Sequence, residues 1–108
     1  MENNTANQGI WDNVDVTAQI RPKIVFEFNI PQTIKFPENF DKPKEYPGEK
    51  GNYCVFEVIH EGEPAAIITS AYSMLRGLKK LMPLANKTVR IVKRLDKGKQ
   101  SYEVELLQ

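Results

Sequence analysis

Only one segment of this chain carries a helical period, and segments of period two lie on both sides of it. A lone helix among strands admits few folds, because it must bury its one apolar stripe against a sheet. Ala71, Met74, Leu75, Leu78, Leu81 and Met82 fall on one helical face. Ser73, Arg76, Lys79 and Lys80 fall on the other. Thr69 or Ser70 is placed to cap the first-turn amides. Lys79 and Lys80 suit the C-terminal end of the helix dipole, and Pro83 stops the helix. Gly77 costs about 1 kcal/mol against alanine if it is exposed mid-helix. The stretch Thr69 to Lys99 holds nine of the fifteen Lys and Arg residues against one acid, Asp96. A chain of net charge +1 thus concentrates a local +8 there.

Before the helix, Lys23–Ile30 reads as the first strand, with Ile24, Phe26 and Phe28 on one face. Pro31 bends or interrupts it, and QTIKF continues with Ile34 and Phe36 on the same parity. Pro37 to Gly51 has three prolines and two glycines and reads as a loop. Phe40 and Tyr46 stand in it among Lys42, Lys44 and Lys50, either to bind a ligand or to pin the loop on the core. Asn52–His60 is the second strand, Glu61-Gly62 a turn, and PAAIITS the third strand. After the helix, Thr88–Leu95 is the fourth strand. Asp96-Lys97-Gly98-Lys99 is a hairpin turn, and Gln100–Leu107 is the fifth strand, facing inward with Tyr102, Val104 and Leu106. Arg90 and Arg94 can pair across that hairpin with Glu103 and Glu105.

Residues 1–20 are expected to form a flexible acidic arm, with residues 21–108 as one domain. The arm has three acids and no base, and residues 10–20 read either as a short strand or as an arm docked by Trp11, with a plain soluble leader as the blander reading. No apolar run is long enough to span a membrane, and the N-terminus has no secretory pattern. The single cysteine, Cys54, has no internal disulfide partner, which points to a reducing, cytoplasmic location, or to the host cell interior if the source is viral. One Cys and one His are too few for a zinc site or a Cys-His nucleophile pair. His60 sits beside a turn among Glu57, Glu61 and Glu63 with no established ligand spacing. No phosphate-binding glycine-rich loop is present. An enzyme and a cofactor are therefore not expected.

The order of three strands, a helix and two strands resembles the OB-fold, a five-stranded partly open barrel with its helix between strands three and four. The resemblance covers about residues 23–107 and is one of topology. An SH3-like barrel or an α+β sheet with one helix gives a similar order, though an amphipathic helix in that position weighs against the first. OB-fold ligands are expected on strands two and three, flanked by the loops joining strands one–two and four–five. The resemblance therefore selects Phe40, Lys42, Lys44, Tyr46, Lys50 and Tyr53 on one side. It selects Arg90, Lys93, Arg94, Lys97 and Lys99 on the other. Cations that track phosphates and aromatics that stack on bases are what a single strand requires. The chain looks like the OB-fold single-stranded DNA-binding proteins. Single-stranded DNA without strong sequence preference is the expected partner, with RNA not distinguished and a homo-oligomer allowed. No helix-turn-helix pair or zinc module supports duplex reading. The second reading is a small barrel acting as an interaction or structural subunit, for example of a phage or replication assembly, with Val55, Val92 and Trp11 as interface residues.

Overall fold

A computed structural model describes residues 21–108. The expected acidic arm, including Trp11, lies outside the described residues. The fold is mainly β, with antiparallel strands and one short helix. The strands are β1 (Gln32–Lys35), β2 (Lys44–Tyr46), β3 (Tyr53–His60), β4 (Glu63–Thr69), β5 (Thr88–Asp96) and β6 (Lys99–Leu106). The helix, α1 (Tyr72–Lys79), stands between β4 and β5 as expected.

The sheet runs β2-β3-β1-β5-β6, and β4 pairs with the other edge of β3. β3 shares one edge between two short partners. β2 takes its beginning (Tyr46 opposite Tyr53) and β1 its end (Ile34 opposite His60). Both expected hairpins form. His60 faces Glu63 across Glu61 and Gly62, with φ of 54° and 79°. Asp96 faces Lys99 across Lys97 and Gly98, with φ of 51° and 79°. Two consecutive positive φ values mark the type I′ turn, whose twist matches that of the flanking strands.

Two expectations are corrected. Five strands become six, because Lys44–Tyr46 inside the expected loop adds to the edge of β3. The two prolines flanking it, Pro43 and Pro47, keep this edge strand short. The first ladder strand is Gln32–Lys35, not Lys23–Ile30. Residues 22–28 make only isolated parallel bridges, Lys23 with Ala66 of β4 and Phe28 with Lys93 of β5. The chain reverses at Asn29, whose φ is 67°, where the Ile30 amide donates to the Glu27 carbonyl at 3.2 Å. β1 then occupies β5 from Thr88 to Ile91, leaving the earlier segment only the position at Lys93. The ladders do not close into a continuous barrel.

The core lies between the sheet and the helix. Ile34, Phe36, Val58, Ile67, Met74, Leu78, Leu84, Val89 and Ile91 are fully buried, each worth about 1.5–3 kcal/mol against exposure. The expected helix face holds at Met74 and Leu78, with Ala71, Leu75 and Leu81 packed beside them, but Met82 is 42% exposed. Neither expected cap bonds the helix. Thr69 Oγ1 instead accepts from the Ala71 amide at 3.0 Å, just ahead of the first turn. α1 lies against β6, where Ser73 Oγ accepts the Tyr102 amide at 2.9 Å. Leu106, expected to face in, is 44% exposed near the end of β6. No helix among the described residues is long and apolar enough to cross a membrane.

Candidate nucleic-acid interface

Antiparallel register decides which side chains share the outer face of β2, β3 and β4. Phe56 and Val58 point into the core, so Tyr53, Val55 and Glu57 point out. Tyr46 lies opposite Tyr53, and Lys44 opposite Val55, which in turn lies opposite Ile68 of β4. The two tyrosine rings stand 5.7 Å apart between centroids at an interplanar angle of 30°. Tyr46 is 41% exposed and Ile68 40% exposed. Lys44 Nζ sits 3.3 Å from Glu57 Oε2, and Arg21 Nε reaches the other oxygen of that carboxylate at 3.9 Å.

Ile68 continues this face toward β5. A hollow of about 230 Å³ brings Ile68 together with Lys23, Val25, Phe26, Lys93 and Tyr102. Lys93 Nζ lies 4.6 Å over the Phe28 ring, a cation–π contact in the second half of β5. Phe26 meets Tyr102 edge to face at 5.7 Å. An apolar and aromatic path therefore runs from Tyr46 and Tyr53 by way of Val55 and Ile68 to Lys93 and Phe28, with Lys44 beside Val55 and paired with Glu57.

The expected residues separate into three groups. Tyr46, Tyr53, Lys44 and Lys93 share the path just described. Phe40 does not: its ring stacks on Phe56 at 6.2 Å and meets Phe36 edge to face at 4.9 Å, so it pins its loop to the core. Lys42 lies beside the helix instead, and Lys50 is exposed in the turn before β3. Arg90 and Arg94 are held by cross-strand acids. Arg90 bonds Glu105, while Arg94 Nε bonds Glu103 at 3.1 Å and its Nη1 donates to Asn29 Oδ1 at 2.9 Å. These pairs cover Val92, which is buried, and Val55 is half-buried, so neither is the exposed interface residue expected of it. Lys97 and Lys99 are exposed at the hairpin and make no ion pair among the described residues.

Reading the sequence alone missed Phe28, Ile68, Lys23 and Val25. Phe28 has the parity of a core residue, and only the reversal at Asn29, a residue type that tolerates positive φ, marks it as the end of its strand. His60 Nε2 is 2.8 Å from Gln32 Oε1, an ordinary structural bond between neighbouring strands. Among the described residues no three His, Cys, Asp or Glu side chains come together to hold a metal. Burial and then the negative charge of Glu45 push the Cys54 thiol above its ordinary range, and burial pushes the Tyr102 phenol up. Comparison of the chain with protein-family models, curated proteins and solved structures finds no match.

Proposed function

We propose that this chain is an OB-like barrel that binds single-stranded nucleic acid, with single-stranded DNA as the favoured ligand and little sequence preference. One observation carries the reading. The adjacent Tyr46 and Tyr53 rings on the open outer face of β2 and β3 lead across exposed Ile68 to Lys93 over Phe28. Stacking on aromatics accepts any base, and cations beside it neutralise phosphates. The barrel reading rests on β1 pairing with both β3 and β5, on the place of the helix, and on the bridges from residues 23 and 28 to β4 and β5. Those bridges span the gap that the ladders leave. In this reading β2 is an addition to the loop joining the first two barrel strands.

Titration of a labelled oligo(dT) at low and at high salt tests the proposal. Binding should weaken as salt rises, with log K falling by about 0.7 per phosphate contact per decade of salt. Charge removal at Lys93, Lys97 and Lys99 should flatten that slope, whereas Arg90→Gln should change it less because Glu105 already holds Arg90. Absence of binding at low salt would refute the reading. Parallel titration with oligo(rU) ranks RNA against DNA.

A further inference from the structure

Away from the tyrosine face, α1 borders an apolar cleft of about 330 Å³ lined by Lys42, Cys54, Phe56, Leu75, Lys79 and Met82 among others. Met82 belongs to the apolar face of the helical pattern yet remains 42% exposed here. Two lysines border the cleft, and no carboxylate lines it. An adjoining hollow shares Leu75 and Lys79 and adds Arg76 and Lys80, again without an acid. Among the described residues none of these four cations is in an ion pair. A matching occupant needs one large apolar anchor with carboxylates close beside it.

The chain itself contains such a segment. Residues 1–20 carry Glu2, Asp12 and Asp15 and no base, and they hold the only tryptophan, Trp11, directly before Asp12. We infer that this segment docks on the cleft beside α1, with Trp11 as its anchor and Asp12 and Asp15 facing Lys42 and Lys79. Arg21 is pinned to the strands, its Nη1 donating to the Val58 carbonyl at 3.0 Å. Ten residues before it, Trp11 can reach about 33 Å along an extended chain. The radius of gyration is 16.3 Å, about half that reach. The cleft has the volume of a small ligand pocket, roughly 300 Å³ at the lower end, which suits one aromatic side chain. The docking surface is separate from the tyrosine path, so it stands independently of nucleic-acid binding.

Trp11 fluorescence in the full chain tests this without a label. Its emission should be blue-shifted and shielded from acrylamide relative to free tryptophan amide. The double variant Lys42→Glu, Lys79→Glu alters two exposed side chains. It should lower the docked-to-free ratio roughly three- to tenfold. Leu75→Lys should release the tryptophan, with circular dichroism confirming that the fold is kept. If Leu75→Lys does not fold, the charge-reversed pair alone decides. Free-like emission in the unaltered chain would overturn the inference, as would a shielded tryptophan indifferent to charge reversal. Shielding that rises with protein concentration together with dimer formation in sedimentation would place the segment on a second copy and overturn the intramolecular docking.

Discussion

Single side chains divide the exposed aromatics by what surrounds them. Tyr46 is exposed and its ring neighbours that of Tyr53, whereas Phe40 packs on the core. Tyr46→Ala and Tyr53→Ala should each weaken oligo(dT) binding by about 1–3 kcal/mol, measured by anisotropy at fixed salt. Phe40→Ala should instead lower thermal stability, by less than the ~3–5 kcal/mol of a fully buried phenylalanine because its ring is half-buried. Cys54 differs again. Its raised pKa keeps the thiol protonated at neutral pH, so labelling by a thiol reagent should be slow at pH 7 and accelerate only above the ordinary thiol range. The linkage has one sign: the folded state holds the proton more tightly than the unfolded chain. That contribution is complete below about pH 8.5 and is lost as pH rises through the folded value. Tyr102 acts in the same direction above about pH 10. Stability against urea should therefore fall on the alkaline side, and Cys54→Ser should soften the earlier part of that fall.

The helix and β6 come close together at Gly77. A Cβ placed on Gly77 would stand 2.7 Å from Val104 Cγ2 and 2.9 Å from Val104 Cβ. Helix propensity alone gives Gly77→Ala a gain of about 1 kcal/mol. Overpacking against a branched side chain held in a strand costs about 1–3 kcal/mol, so the clash decides the sign. Gly77→Ala should lower the urea midpoint, and Gly77→Ala with Val104→Ala should recover part of the loss. The helix itself was legible in the sequence because Met74 and Leu78 repeat at its period, and both hairpins were legible from Glu61-Gly62 and Lys97-Gly98. Gly77 was legible only as a weak point, since its reason lies on a strand twenty-seven residues away. β2 was hidden because a three-residue edge strand between prolines has the composition of a loop. The outer face was half legible. Tyr46 and Tyr53 were identified by position, but the register that joins them to Ile68 and the bridge that brings in Lys93 depend on long-range pairing.

Across the whole molecule, charge and apolar surface are arranged in two places. The β5–β6 arginines are committed to their own acids, while the lysines of the hairpin tip and the helix rim carry the unbalanced charge. The +8 stretch is therefore not one basic patch. β1 has a different importance. It is four residues long, yet among the described residues it alone joins β3 to β5 by ladders on both of its edges. Each of its neighbours belongs to a hairpin that forms from local contacts, whereas β1 must meet β3 and β5 across long stretches of chain. The two hairpins should thus be structured early in folding and β1 should dock late. Ile67→Val and Ile91→Val, in β4 and β5, should slow folding measurably. Ile34→Val, in β1, should leave the folding rate nearly unchanged and hasten unfolding by about its full cost of 0.5–1.5 kcal/mol. The shortest inner strand would then set how long the native protein lasts, while its longer neighbours set how quickly it arrives.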